Sequence, residues 1–324
     1  MLEAANYEKI FNEIIDGKIA AKDVKKFLLE LNQQNLPSQA FIGATTALKQ
    51  RMKKISAPKN SIDVCGTGGD SLGTLNISTA VCFVVAAAGI PVAKHGNKAI
   101  SSSSGSADIF LELGVKFSSE ISEIEKNLAE KKLCFLFAPY FHEALKNVAE
   151  IRKSLGVPTI FNFLGPLLNP ANTSFQLIGT AKKYVMKKMA EVLAQDVKNS
   201  AYIVHGLDGM DEISLCADSL LLRVENGKIF EEEIINPEKF GLKKVPLSAL
   251  FGATPKHNAQ KLLALLDGEK SAYFDIVTLN SAFAFKLAGK VEKIEDGLEL
   301  AKSMISSGAA KKVLQNIVHY TQET

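Results

Sequence analysis

The stretch DVCGTGGDSLGTLNIST, residues 63–79, sets glycines at 66, 68, 69 and 73 between a short apolar run and a long one. Glycine lets a backbone approach a ligand closely, and successive N–H groups in such a turn form a nest for an anion. Asn76, Ser78 and Thr79 then stand at the start of a helix expected over 78–88, where hydroxyls and free N–H groups suit phosphate. A tight strand–helix turn capped by Asn or Ser would use the same residues for structure alone. The stretch lacks the G-K-[ST] of a Walker A loop and the G-x-G-x-x-G of a dinucleotide-binding turn.

Three further stretches carry chemistry. In AKHGNKAISSSSGSAD (93–108), Lys94 offers a point charge for phosphate, Gly96 a turn, and Asn97 both a donor and an acceptor. The serine–glycine run either closes over a ligand or is a solvated loop with Lys94 and Lys98 facing water. In HGLDGMDEISL (205–215), adjacent Asp211 and Glu212 fall short of a full metal site. They can hold Mg²⁺ if substrate phosphates and water complete its shell, or they form a polar turn. On a helix expected over 142–155, with His142, Lys146 and Asn147, Arg152 suits a bidentate carboxylate or a surface ion pair. No H-E-x-x-H, zinc-type Cys/His pattern or G-x-S-x-G elbow occurs. His95, His142 and His205 have no nucleophile nearby in sequence, so covalent catalysis has no evident residue.

The elements that must position these stretches are legible from periodicity. Tyr7, Ile10, Phe11, Ile14 and Ile15, then Val24, Phe27, Leu28 and Leu31, then Phe41, Ile42, Leu48 and Met52 mark three N-terminal helices. Asp16-Gly17 is a stop, and SAPKNS (56–61) is a linker. Beyond it, apolar strands (SIDVCG, IPVAKHG, LCFLFA, SFQLIGTA, SAYIVHG) alternate with helices. That alternation predicts an α/β domain whose mostly parallel sheet is covered on both faces. LLLRVENGKIFEEE reads as an antiparallel edge hairpin turning at Asn226-Gly227, and the C-terminal part returns to helices.

Composition narrows the partners. The chain has 324 residues, 38 basic against 35 acidic, a net charge of +3. Such a balance argues against nucleic acid or a membrane surface as partner. The four cysteines form no C-x-x-C pair and read as free thiols in a reducing cytosol. The N-terminus shows no signal-peptide core, and the run from Ala80 to Pro91 is too short to span a bilayer.

Taken in order, GTGGD, NIST, KHGN, SGSAD, R-x-x-LG-x-x-T-x-FN-x-LGPL-x-NP and G-x-DE-x-S closely resemble the anthranilate phosphoribosyltransferase family. The motifs run from about residue 60 to 215. The resemblance implies a nucleoside phosphorylase/phosphoribosyltransferase-like α/β fold. A small all-helical domain (1–60, completed by about 140–172) would sit beside a larger α/β domain (61–324) with a mixed, mostly parallel sheet. It implies transfer of the phosphoribosyl group of 5-phosphoribosyl 1-diphosphate (PRPP) to the amine of anthranilate, releasing pyrophosphate, the second step of tryptophan biosynthesis. It also implies two Mg²⁺ per subunit, a cytoplasmic homodimer, and no general base.

By the same resemblance, PRPP would meet Gly66, Gly69, Asp70, Thr74, Asn76, Ile77, Ser78, Thr79 and a flexible loop comprising Lys94, His95, Gly96, Asn97, Lys98, Ala99, Ile100, Ser101, Ser102 and Ser106. Ser78, Asp211 and Glu212 would hold metal. Gly66, His95, Asn97, His142, Arg152, Gly165 and Pro166 would meet anthranilate, with Arg152 facing its carboxylate. The chain departs from the family at neighbours of these residues: Ser71 for Gly, Leu75 for Phe, Lys98 for Arg, Glu143 for Pro and Pro158 for Arg. A pyrimidine nucleoside phosphorylase and a non-catalytic nucleic-acid-binding relative are the alternatives. The NIST, KHGN and acidic-pair set argues against the first, and near-neutral charge against the second.

Overall fold

A computed structural model describes residues 2–33, 36–99 and 104–323. Three amphipathic helices open the chain: α1 (Ala4–Ile15), α2 (Ala21–Gln33) and α3 (Ser38–Lys49). Each buries the stripe its periodicity marks, with Phe11, Leu28 and Phe41 fully enclosed. Gly17, at φ +71°, turns the chain after α1, as the Asp16-Gly17 stop requires.

The α/β part begins with β1 (Ile62–Gly66), α4 (Ile77–Ala87), β2 (Val92–Gly96), α5 (Ser106–Glu112), α6 (Ile121–Lys131) and β3 (Leu133–Phe137). The chain then crosses back through α7 (Ala138–Phe141), a 3₁₀ turn at Glu143–Leu145 and α8 (Lys146–Leu155) to β4 (Phe175–Gly179). The helix expected over 142–155 is therefore broken: His142 lies between α7 and the 3₁₀ turn, at φ −121° and ψ +51°, outside helical geometry. Next come α9 (Lys183–Leu193), β5 (Ser200–Gly206), β6 (Ser219–Glu225), β7 (Lys228–Ile229) and β8 (Glu233–Ile235). Helices α10 (Pro255–Leu266), α11 (Ala272–Leu287), α12 (Ile294–Ser306) and α13 (Ala309–Glu323) follow.

The strand order is β3-β2-β1-β4-β5-β6-β7, with β8 also paired to β6. β1 to β5 are parallel, and β6 runs antiparallel to β5, β7 and β8. The hairpin turns at Asn226 (φ +51°) and Gly227 (φ +74°), both left-handed as a type I′ turn demands. Strand alternation sorts residues between the faces. Val64, Leu177, Tyr202 and Leu221 face a large core with α4, α5 and α10 to α13. Cys65, Ile178, Ile203 and Leu222 face a second core shared with α1 to α3 and α9. That second core also takes in Val148 and residues 160–168, and the Phe161 ring meets Phe11 edge-on at 5.8 Å. Segment 146–168 and the N-terminal helices therefore form one packed layer with this half of the sheet.

After β1 the chain moves outward to β2 and β3, and β4 returns to the other side of β1. The carboxyl ends of β1 and β4 thus border a topological switch point, where open α/β sheets leave a crevice for ligands.

Candidate functional site

Four of the five parallel strands end on glycine: Gly66, Gly96, Gly179 and Gly206. At two of them the reason is a close approach. Gly66 and Gly179 are paired in register across β1 and β4. The chain at Asp211 lies against both, so a Cβ at Gly66 would strike the Asp211 carboxylate and one at Gly179 the Asp211 backbone carbonyl. Glycines at the strand ends admit the acidic segment into the switch-point crevice.

The turn after β1 then wraps that segment. Gly68, Gly69, Ser71 and Gly73 all have φ between +59° and +74°. The Gly68 N–H donates to Asp211 Oδ2 at 2.7 Å, and the Leu72 N–H to Asp70 Oδ1 at 3.1 Å. At the N-terminus of α4, the Ser78 N–H donates to Glu212 Oε1 at 3.0 Å. Ile77 and Thr79 are buried, so these two can offer a ligand only backbone groups, while Ser78 is half-buried. Its hydroxyl makes no hydrogen bond among the described residues and is free to take a ligand.

Three carboxyls therefore converge: Asp70, Asp211 and Glu212. Burial pushes Asp211 up to about 7, with the charge of Asp70 adding to the shift. Burial and then Asp211 push Glu212 up to about 8. Asp70 is raised as well, chiefly by burial. Lys94 counters Glu212, and here the structure corrects the loop expectation. Lys94, His95 and Gly96 belong to β2. Lys94 is 2% exposed and donates from Nζ to the Val64 carbonyl at 2.7 Å, so it does not face water. Burial lowers its pKa, but Cys82, Asp63, Cys65 and Glu212 around it outweigh that and hold it charged. Its partner Asp63 is also buried, accepting from Asn169 Nδ2 at 2.6 Å and the His95 N–H at 3.3 Å.

The loop proper starts at Asn97. Asn97 Oδ1 accepts from the Lys98 N–H at 2.8 Å. Asp108 Oδ2 accepts from the N–H groups of Ala99 and Gly105, at 3.0 and 2.9 Å, and so pins both shoulders of the loop. Ile100, Ser101 and Ser102 lie outside the described residues. The Ser106 hydroxyl sits where a Cβ on Gly96 would be. Asn76 is committed to structure: its amide joins Ser104 and Asn258, and its carbonyl accepts from the Tyr273 hydroxyl at 2.9 Å. Thr74 bridges to Phe251, and the Leu75 N–H donates to the Leu250 carbonyl.

Several positioning residues carry no local motif. Asn280, on the apolar helix α11, clamps the backbone of Ile213 through its Oδ1 and Nδ2 at 3.0 and 2.9 Å, which fixes Glu212. Asn258, Tyr273 and the 250–252 strap hold the glycine turn from the far end of the chain. Of these residues Asn280 alone carries a signal in the sequence, a lone amide in an apolar helix, which needs a partner when buried.

On the other side of β2, His95 Nδ1 lies 3.2 Å from the Gly165 carbonyl and its Nε2 3.2 Å from His142 Nε2. With Nδ1–H donating to Gly165, Nε2 accepts from His142. Burial pulls His95 down to about 3, helped by His142, and His142 down to about 4. Both are neutral at pH 7. Gly165 is exposed and Pro166 buried, its carbonyl taking Gln176 Nε2 at 2.8 Å. Arg152 is half-buried with its guanidinium 5.4 Å from the centre of the Phe161 ring, and it makes no ion pair among the described residues. Burial lowers its pKa.

The arrangement fits a divalent cation held jointly with an anionic ligand. Among the described residues no three acidic, His or Cys groups close into a metal cage. Two carboxylates and a free hydroxyl are hard oxygen donors that leave the rest of the shell to phosphate and water, which suits Mg²⁺.

The glycosyl transferase family a/b domain matches residues 58–311. An anthranilate phosphoribosyltransferase of Azorhizobium caulinodans is 39% identical over 312 residues, 96% of this chain and 90% of the relative. The crystal structure of the Thermus thermophilus enzyme of that name superposes with a TM-score of 0.92 at 33% identity, covering 99% of this chain and 96% of the other. The Saccharomyces cerevisiae enzyme, in complex with PRPP and Mg, superposes with a TM-score of 0.92 at 27% identity, covering 100% and 94%. The yeast enzyme has also been solved in complex with 4-fluoroanthranilate.

Two predictions follow from the local physics. Gly179→Ala forces a side chain into the Asp211 carbonyl and is expected to cost about 3 kcal/mol or more. Ser71→Gly relieves a left-handed residue worth about 1–2 kcal/mol, less about 0.5–1 kcal/mol of added unfolded-chain entropy. Thermal melts should therefore move in opposite directions for the two variants. The second concerns pH. His95 and His142 titrate near 3 and 4 when folded against about 6.5 unfolded. Their contribution to stability is complete above pH 6.5 and is lost as pH falls toward the folded values, by about 1.4 kcal/mol per unit per histidine. Asp211 and Glu212, raised when folded, work the opposite way. The histidine share is thus read from urea unfolding at pH 7, 6 and 5, as the difference in slope between wild type and a His95→Gln/His142→Gln double variant, which should lose less on acidification.

Proposed function

The chain belongs to the anthranilate phosphoribosyltransferases, within the glycosyl transferase family, and from that premise we propose how its residues carry out the reaction. The enzyme transfers the phosphoribosyl group of PRPP to the amine of anthranilate and releases pyrophosphate. The observation that supports the residue assignment is the crowding of three carboxyls at the end of the sheet, which resist ionising together without a cation. An anionic diphosphate brought to Asp70, Asp211 and Glu212 would be repelled unless a cation lay between them.

Ser78, Asp211 and Glu212 would hold Mg²⁺, two ions per subunit, when PRPP binds. Mg²⁺ neutralises charge developing on the leaving group when it is bound. The turn 66–74 lays its backbone along the diphosphate and ribose, with Gly69 and Asp70 at the ribose side. Thr74 and the N–H groups at the start of α4 receive phosphate oxygens. Asn76 shapes this segment and ties it to Ser104. Lys94 acts from below as a buried positive charge balancing Asp63 and Glu212. Asn97 to Ser102, with Ser106, cover PRPP.

Anthranilate enters from the side of His95, His142 and Gly165, with Arg152 receiving its carboxylate. Arg152 is suited to this because its fork is half-buried and makes no ion pair among the described residues. The anthranilate nitrogen attacks C1 as the C1–O bond to diphosphate breaks, the bonding pair leaving with pyrophosphate. The amine then loses its proton to water. Neutral aniline nitrogen needs orientation more than deprotonation, and His95 is already committed to His142 and Gly165. Inversion at C1 through an oxocarbenium-like transition state follows from that placement. The small domain of residues 1–60 with 140–172, the homodimer and the cytoplasmic location belong to the same reading; no helix of the described residues is long and apolar enough to cross a membrane.

Purified protein mixed with PRPP, Mg²⁺ and anthranilate should quench anthranilate fluorescence only when all components are present. Arg152→Gln should raise KM for anthranilate about tenfold or more and leave KM for PRPP within twofold, as loss of a charge-assisted pair implies. An Asp211→Asn/Glu212→Gln variant should lose activity with Arg152 intact. An unchanged anthranilate KM in Arg152→Gln would move the carboxylate site elsewhere.

A further inference from the structure

A line of hydrogen bonds joins the start of α4 to α10 and to the entry of α5, and it can run in only one direction. The Ala253 N–H donates to Asn258 Oδ1 at 2.8 Å. Asn258 Nδ2 donates to Asn76 Oδ1 at 3.0 Å, and Asn76 Nδ2 donates to the Ser104 carbonyl at 3.2 Å. Both ends are backbone groups whose roles are fixed: an N–H only donates and a carbonyl only accepts. Turning over either amide would set donor against donor or acceptor against acceptor. The Ser104 hydroxyl agrees with this direction, since it too donates to Asn76 Oδ1, at 3.2 Å.

The line is held on every side. Asn258 lies in the first turn of α10 and is 2% exposed. A Cβ on Gly252 would meet its amide at 2.8 Å, so the 250–252 strap lies directly against it. The Tyr273 hydroxyl donates to the Asn76 carbonyl at 2.9 Å. Helix α10 packs on α5, which begins two residues after Ser104. Asn258 thus decides which way the Asn76 amide faces, and Asn76 ties Ser104 to the turn of α4 that carries Ser78.

We propose that Asn258 is a positioning residue for PRPP: by orienting the Asn76 amide it holds the start of α4 and the entry of α5 at the spacing that phosphate binding needs. This rests on the reading of the α4 start as the phosphate seat. Asn258 acts there through Asn76, and has no part on the anthranilate side, where His95, His142 and Arg152 lie.

Asn258→Asp tests the direction of the line. The introduced carboxyl keeps the acceptor for the Ala253 N–H, but when ionised it has no proton for Asn76 Oδ1. Asn76 then either meets a carboxylate with its own oxygen or turns and loses the Ser104 carbonyl. Protonation restores the donor, and burial raises the pKa of the introduced carboxyl toward the working range. Steady-state kinetics between about pH 6 and 9 are taken as ratios to wild type, so that titration of Asp211 and Glu212 cancels. The KM for PRPP should be raised about tenfold or more at the alkaline end and should fall to within about threefold at the acid end, with kcat and the KM for anthranilate within about twofold throughout. Asn258→Leu has no donor at any pH and should keep its raised PRPP KM across the range. Without substrates, the melting deficit of Asn258→Asp should shrink over the same interval. A PRPP KM ratio for Asn258→Asp that does not change with pH overturns the proposal, as does an anthranilate KM raised equally. So does a melting deficit that recovers in acid while the PRPP KM stays at the wild-type value, since the line would then serve the fold alone. Turnover by the wild type leaves the phosphate reading standing in each of these cases. A wild type that binds no PRPP would instead contradict that reading, and this assignment with it.

Discussion

The structure depends on one close approach. The Asp211-Glu212 segment is pressed onto the ends of β1 and β4 so tightly that only hydrogen atoms fit at positions 66 and 179. Two carboxyls are thereby driven into a partly dry crevice, with a third, Asp70, beside them. Coulomb repulsion in such a setting is strong, and protons or a cation must relieve it. The sheet topology makes the crevice and the glycines open it. Crowded carboxyls of this kind suit an anion that arrives with its own divalent cation.

The remaining polar groups read as consequences of that approach. Lys94 and Asp63 lie buried beneath the cleft, each easing the cost of the other's charge while hydrogen-bonding elsewhere. Asn280 holds the backbone just after Glu212, and Asn76, Asn258 and Tyr273 hold the turn opposite it. These contacts come from helices α10 and α11, so the C-terminal helices brace a site built largely from the first half of the chain. Beyond β2, His95 and His142 form a neutral pair beside Gly165, and Arg152 on the helical layer makes no ion pair among the described residues.

Much of this was legible in the sequence because parallel strands buried on both faces read as short apolar runs ending at glycine. The strands at 62, 92, 133, 175 and 200, and the Asn226-Gly227 hairpin, fall where that pattern puts them. Lys94 reads both as part of the strand IPVAKHG and as the start of a flexible loop; the strand reading holds, since β2 runs on to Gly96 and alternation turns Lys94 inward with Val92. His142 sits in a break between short helices that a helical period conceals. Asn258 and Tyr273 had no local signature at all, since their role exists only once the chain has folded back onto the glycine turn. Asp108 stood inside a recognised motif, yet its capture of two N–H groups across the loop is a tertiary fact.

The central claim is that the crowded carboxyls are half of a cation site whose other half arrives with the diphosphate. The direct measurement is an anomalous difference map from crystals grown with Mn²⁺ and PRPP. The account predicts peaks against the Asp211 and Glu212 carboxylates, with Ser78 among the ligands, and their loss in the Asp211→Asn/Glu212→Gln variant. PRPP bound in the cleft with Mn²⁺ held only by its own phosphates, away from those side chains, would contradict it.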